Sequence, residues 1–169
     1  MGVGVTLVSD TGLTFGIYGA ERENTIPVEG LAVTAGGGDE FTGATYVTYA
    51  NGPISVGYSM SYYDGGIGTA GGASTAAKTI TTAEGIFESE SMSIAYTVND
   101  NLSISYTDTD DDYNGGSLDV VTQSTDAFQV AYSMGGMSIK AYRMDTSNPG
   151  YDSNADELTV TEITLGLAF

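Results

Sequence analysis

A period of two constrains this chain more than any other feature. Residues 158–169 read LTVTEITLGLAF, which puts Thr161, Ile163, Leu165, Leu167 and Phe169 on one side and Glu162, Thr164, Gly166 and Ala168 on the other. Such alternation marks a strand with two unlike faces. The apolar side grows toward an aromatic residue, the order expected where a strand meets a membrane–water boundary.

The period recurs along the whole chain. Val3, Val5 and Leu7 alternate with small residues, as do Leu13, Phe15 and Ile17. A turn at Ser9-Asp10-Thr11-Gly12 is expected to set Leu7 against Leu13, Val5 against Phe15 and Val3 against Ile17, apolar on apolar. A second hairpin spans residues 40–63. Its Asn51-Gly52 dipeptide is a strong hairpin signal and pairs Tyr49 with Ile54, Val47 with Val56, Thr45 with Tyr58 and Phe41 with Tyr62. The third turns at Asn99-Asp100-Asn101, matching Val98 with Leu102, Tyr96 with Ile104 and Ile94 with Tyr106. The fourth turns at Gly135-Gly136, matching Met134 with Met137, Tyr132 with Ile139, Val130 with Ala141 and Phe128 with Arg143. Longer segments, 21–39, 64–85, 108–122 and 146–155, separate these hairpins, and the last strand brings the total to about nine. Tight and long connections alternate throughout.

Across the hairpins the face opposite the large apolar residues is mostly Ser, Thr, Gly and Ala, with few charges. A sheet face exposed to bulk water usually carries many Lys and Glu. Here only 15% of residues are charged, so this face reads as a lumen or a close-packed interior. The 22 acidic and 4 basic residues give a net charge of -18, which disfavours nucleic acid as a partner because phosphate neutralisation needs Lys and Arg. With no Cys and no His, zinc and thiol chemistry have no ligands, and the carboxylates cluster in loops rather than converging as an acid–base pair. Gly36-Gly37-Gly38 is followed by no helix signal and reads as loop rather than phosphate cradle. No enzyme chemistry is expected. No apolar run reaches the ~18 residues of a transmembrane helix, and no basic-then-apolar leader follows Met1. The chain is therefore read as processed, or as a piece of a longer one.

Alternating strands of about ten residues, short turns on one side, long loops on the other and the aromatic Phe169 together resemble a Gram-negative outer-membrane general porin. The resemblance covers the whole chain. It implies an all-β, antiparallel up-and-down transmembrane β-barrel in the bacterial outer membrane, passing small hydrophilic solutes and ions by passive diffusion through a water-filled pore. It also implies a homotrimer in contact with membrane lipid and lipopolysaccharide, with tight turns and C-terminus periplasmic and long loops extracellular. Single-chain bacterial barrels have an even strand count. The odd count here implies that residues 1–169 are the C-terminal portion of a sixteen-stranded barrel whose inward-folded constriction loop lies in the other half. A tenth strand at residues 30–35 would break the alternation. The alternative readings are a small outer-membrane barrel serving as structural anchor or adhesin, and a secreted β-sandwich binding module.

Face parity nominates Ser103, Ser105, Gln129, Lys140, Tyr142, Glu162 and Thr164 as pore-lining. Lys140 and Glu162 fall on neighbouring strands and are expected to shape permeation as a charge pair with weak cation preference, or else to form a plain solvated ion pair. Arg143 has apolar-face parity beside Phe128 and belongs at the membrane interface, since a charge at mid-bilayer costs ~2–4 kcal/mol. Tyr62, Tyr106 and Phe169 suit the same interface, as do Tyr49, Tyr58, Tyr96 and Tyr132. Those tyrosines equally suit a trimer contact. Asp108, Asp110 and Asp112 occupy positions 1, 3 and 5 of a partial calcium loop, with Asp119 at position 12 and Tyr113 where the sharp turn needs Gly. The plainer reading is a solvated acidic loop able to bridge divalent ions to lipopolysaccharide. No other cofactor is expected.

Overall fold

The computed structural model describes residues 1–22, 39–65, 86–114 and 120–168. Nine strands run in sequence order: β1 (Gly2–Val8), β2 (Leu13–Arg22), β3 (Glu40–Asn51), β4 (Ile54–Asp64), β5 (Ile86–Asn99), β6 (Leu102–Asn114), β7 (Val121–Met134), β8 (Met137–Ser147) and β9 (Leu158–Leu167). Each pairs antiparallel with the next in one sheet ordered β1 to β9. The only helical element among the described residues is the 3₁₀ turn Pro149–Tyr151, and no helix is long and apolar enough to cross a membrane. The outer edges of β1 and β9 have no partner strand among the described residues, so the sheet is open there.

The face assignments hold across all eight strand pairs, while the first two hairpin registers differ from expectation and the third differs at its closing pair. In the first hairpin Leu7 faces Phe15, Val5 faces Ile17 and Val3 faces Gly19. The cause is a three-residue loop. Ser9 N donates to Leu13 O (2.8 Å), and Gly12, at φ 89°, closes the turn back onto Ser9 O (3.1 Å). Only glycine fits there, since a Cβ on Gly12 would stand 2.1 Å from Ala50 O of β3. In the second hairpin Asn51 faces Ile54, Tyr49 faces Val56, Val47 faces Tyr58 and Thr45 faces Met60. The turn is Gly52-Pro53 rather than Asn51-Gly52. Gly52 takes a positive φ of 58°, and Pro53 is locked at negative φ, the order of a type II′ turn. Pro53 thereby leaves the β3–β4 ladder, where it has no N–H to donate, while its carbonyl accepts from Thr97 N of β5 (2.8 Å). Both shifts are by two residues, so no side chain changes face.

The third hairpin keeps Tyr96 opposite Ile104 and Ile94 opposite Tyr106. A bulge at Val98 then brings Asn99, not Val98, opposite Leu102. Asn99 Oδ1 accepts from the Asn101 and Leu102 amides (2.9 and 3.0 Å), which fixes that turn. The fourth hairpin pairs as expected: Met134–Met137, Tyr132–Ile139, Val130–Ala141 and Phe128–Arg143. The third long segment is corrected most. Asp108 through Asn114 are strand, hydrogen-bonded to β5 on one side and, through Tyr113, to β7 on the other. Residues 30–35, Gly36-Gly37-Gly38, Asp119 and Phe169 lie outside the described residues.

Candidate functional site

On the small-residue face, hydroxyls bond across strands: Ser91 to Thr109 (2.9 Å) and Thr125 to Thr146 (3.2 Å). The tyrosines on this face near β1 lie flat. Tyr46 covers Gly16, its cross-strand partner, closely enough that a Cβ on Gly16 would meet the ring at 2.2 Å. Tyr18 covers Gly4 in the same way, with 3.3 Å to its ring. Glycine opposite tyrosine keeps the wall thin and its surface smooth.

All seven residues nominated as pore-lining come together. Ser103, Ser105, Gln129, Lys140, Tyr142, Glu162 and Thr164 line one polar groove of ≈ 420 Å³ over β6 to β9. Direct pairing sets Ser105 against Gln129, Tyr142 against Glu162 and Lys140 against Thr164. The Glu162 carboxylate accepts from the Tyr142 hydroxyl (3.3 Å) and the Thr164 hydroxyl (3.0 Å). Lys140 and Glu162 are diagonal neighbours rather than an ion pair. The ion pairs among the described residues are Arg22–Glu40 (3.9 Å) and Arg143–Asp145 (2.9 Å). Lys140 therefore keeps its charge free toward the groove.

The β8–β9 connection, 148–157, had no role in the sequence reading. It does not continue the wall but turns back across the small-residue face. Asn148 and Tyr151 hold left-handed backbone at φ 50° and 59°, a conformation that costs on the order of 1 kcal/mol per non-glycine residue. Asn148 Nδ2 donates to Thr122 O (2.8 Å), and Gly150 N donates to Gln123 Oε1 (2.8 Å), both on β7. The Tyr151 ring then reaches Tyr113 of β6 (5.8 Å) and Phe87 of β5 (6.2 Å). Phe87 packs on Tyr113 (4.7 Å) and on Tyr63 of β4 (6.2 Å), completing an aromatic row across three strands. Tyr113 at 4% exposure and Thr146 at 5% are the buried large apolar and polar side chains of the described residues, and both lie on this face. Burial pushes the Tyr151 phenol above its usual range, and the nearby Asp111 and Asp112 charges add to the shift. The sequence signal was present in Asn148-Pro149-Gly150, but a turn signal does not say which way the turn faces.

No protein-family model, curated protein or solved structure matches the chain.

The opposite face is uncovered: Ile163 is 73% and Leu165 58% exposed. Its apolar band is oblique. It starts at Val3, Val5 and Leu7 on β1 and ends at Ile163, Leu165 and Leu167 on β9. One cross-strand row makes this visible, running Leu7, Phe15, Val47, Tyr58, Met92, Asp108, Asp126, Asp145, Thr159. It is apolar over five strands and polar over the last four. The hairpin tips climb in step. Their closing pairs are Ser9–Leu13, Asn51–Ile54, Asn99–Leu102 and Met134–Met137, each one row beyond the last. Tyr49, Tyr96 and Tyr132 stand opposite Leu13, Ile54 and Leu102, and so trace the same slope.

Beyond the band, on the side away from the tight turns, lies an acidic ledge, Glu88, Glu90, Asp108, Asp110, Asp112, Asp126 and Asp145, with the parity of the apolar residues. Sequence reading missed it by taking 108–114 as loop, although Asp108, Asp110 and Asp112 carry on the period of two. Tyrosines at the border of the band point into the ledge: Tyr58 donates to Glu90 (2.5 Å) and Tyr106 to Asp126. Tyr62 packs on Phe41 (6.0 Å). Arg143 faces Phe128 as expected and grips Asp145 through both Nε (2.9 Å) and Nη2 (3.1 Å). Asp108, Asp110 and Asp112 are alternate strand residues, about 7 Å apart along the backbone. Their alternation is that of a strand rather than a loop, and among the described residues no group of three or more acidic side chains is placed to hold a metal ion.

Proposed function

We propose that this chain is an arc of an outer-membrane β-barrel porin, with the small-residue face lining a water-filled pore and the oblique apolar band facing lipid. The common slope of band and hairpin tips carries the reading. Both climb one row per hairpin, two residues for every two strands. One residue of rise per strand spacing, ~3.4 Å against ~4.8 Å, is a tilt of about 35°. Strands tilted by that angle bring every turn to one level and every apolar stretch to one depth. Membrane barrels tilt their strands by about 35–45°. A soluble sandwich has no flat solvent boundary to impose such a slope.

Three further observations agree. The rings of Tyr58 and Tyr106 lie at one border of the band with their hydroxyls on carboxylates, as in an interfacial girdle. The small-residue face holds a polar groove rather than a sealed core, which favours a channel over a plugged anchor. Since β1 and β9 point the same way, antiparallel closure needs an odd number of further strands, about seven for a sixteen-stranded barrel. The porin reading carries with it small hydrophilic solutes and ions as cargo, lipopolysaccharide contact at the acidic ledge, a homotrimer, and tight turns on the periplasmic side.

The test is reconstitution of the full-length protein in planar lipid bilayers. Stepwise conductance with a mild cation preference is expected. A protein that is monomeric and soluble without detergent, and silent in bilayers, ends the proposal.

A further inference from the structure

We propose that the outward face of β3 to β6 carries a head-and-tail site for a lipid whose headgroup bears a primary ammonium and whose alkyl chain runs toward the tight turns. The inference rests on the porin reading above, which puts lipid against this face, and adds the chemistry of one bound lipid to it. The head end is a groove of ≈ 610 Å³ beyond the apolar band. One wall is aromatic, made by Phe41 and Tyr62 with ring centroids 6.0 Å apart. The other wall is acidic. Glu88 stands opposite Asp112 and Glu90 opposite Asp110 on the β5–β6 ladder. Like charges set directly opposite destabilise a ladder. Among the described residues no Lys or Arg pairs with any of the four, since the ion pairs are made by Glu40 and Asp145. Asp112 Oδ1 gives a separate sign of a ligand: it is buried and finds no hydrogen-bond donor among the described residues. A buried carboxylate oxygen without a donor is costly, so this atom marks a place for a ligand N–H. The four carboxylates are not grouped to hold a metal ion. An ammonium on an organic stem satisfies both walls, with N–H donors for the carboxylates and a cation for the rings of Phe41 and Tyr62.

What adjoins the groove decides the rest of the ligand. A second groove of ≈ 390 Å³, almost wholly apolar, is lined by Val47, Val56, Tyr58, Met92 and Ile94. It starts one row closer to the tight turns than Met60 and Glu90 of the first groove, at the row Val47, Tyr58, Met92. Tyr58 joins the two, with its ring in the apolar groove and its hydroxyl on Glu90 of the acidic one. From Tyr62 to Val56 is six residues of β4, or ~20 Å. On a strand tilted by about 35° that is a depth of about 16 Å, close to one leaflet of a ~30 Å hydrocarbon core. Charge at one end and apolar lining over the depth of a leaflet fit a lipid amine. A free polyamine or a basic peptide has no tail to place there. A phosphate is no substitute for the ammonium, because the groove meets it with carboxylates.

Titration of the full-length protein in dodecyl maltoside micelles with radiolabelled dodecylammonium tests this. Saturable binding of one ligand per chain is expected. Glu88→Gln with Asp112→Asn should weaken it about tenfold, the loss expected for a charge-assisted hydrogen bond. Asp10→Asn with Asp100→Asn removes the same charge at two tight turns and should leave binding unchanged. Val56→Phe, which fills the tail groove and alters no charge, should weaken binding as well. Butylammonium, which has the head without the tail, and calcium, which has charge alone, should fail to compete. A conducting wild type that binds dodecylammonium equally in the Glu88/Asp112 double variant, or that prefers calcium or polylysine, overturns the lipid site and leaves the pore standing. A wild type that is soluble without detergent and does not conduct ends the porin reading, and the lipid site with it.

Discussion

The ring of Tyr151, in the connection between β8 and β9, stands 5.8 Å from the ring of Tyr113 on β6, the most deeply buried large apolar side chain among the described residues. This contact ties a loop to a wall two strands away. Tyr113→Ala should cost about 3 kcal/mol, the usual loss for a buried aromatic ring that leaves a cavity. The loss should be local as well as global. Hydrogen exchange at the Gly150 amide, which is bonded to Gln123, should accelerate more than exchange in the β8–β9 ladder.

Tyr151 also gives this connection, a strap of residues 148–157, a pH limit. Its folded-state pKa is raised, chiefly by burial and then by Asp111 and Asp112. A group whose pKa is raised on folding contributes stability that is complete below the unfolded value, about 10 for tyrosine, and is lost as pH climbs through the folded value. The strap should stay seated through neutral pH and release above about pH 10. Tyr151→Phe should remove that alkaline release, read as protection of the Gly150 amide against pH.

Gly16 and Tyr46 should be coupled, because a Cβ on Gly16 would stand 2.2 Å from the Tyr46 ring. With Tyr46 in place, Gly16→Ala should destabilise by about 1 kcal/mol by lifting the ring off the wall. With Tyr46→Ser, the same change should stabilise by about 0.5 kcal/mol, since alanine costs less strand entropy than glycine. A double-mutant cycle of unfolding free energies measures the reversal of sign.

The two faces should respond oppositely to charge. Ile94→Lys, in the middle of the oblique band, should cost ~2–4 kcal/mol for folding into bilayers. Ser105→Lys, in the polar groove, should be nearly neutral for folding and should alter ion selectivity instead. Equal penalties at the two sites in lipid refolding titrations would mean that the faces are not divided between lipid and water.

Glu162 and Lys140 lie in the same groove but are not paired with each other, so their effects should be opposite in sign and only partly coupled through Thr164. Glu162→Gln should shift the reversal potential toward anions, and Lys140→Gln toward cations. The double variant should depart from the sum by about 0.5–1 kcal/mol in permeability terms, the low end for neighbouring groups. A salt-bridged pair would instead show strong coupling in the same recordings.

The period of two was enough to place the strands, to sort nearly every side chain to its face, and to gather the seven residues of the polar groove. Alternation is a local consequence of the pleat, and errors of two residues in the first two registers left it intact. The sequence could not supply what depends on distant partners. Gly12 and Pro53 set their registers through turn geometry and an approach to β3. Residues 108–114 became strand because their backbone groups find partners on β5 and β7, which outweighs the like charges facing one another across the ladder. The slope of the apolar band emerges only when each strand's stagger is added to the last. The inward course of the strap is tertiary as well: its left-handed residues are held by Thr122, Gln123, Phe87 and Tyr113, far away in the chain, and no local preference of residues 148–157 would have turned it that way.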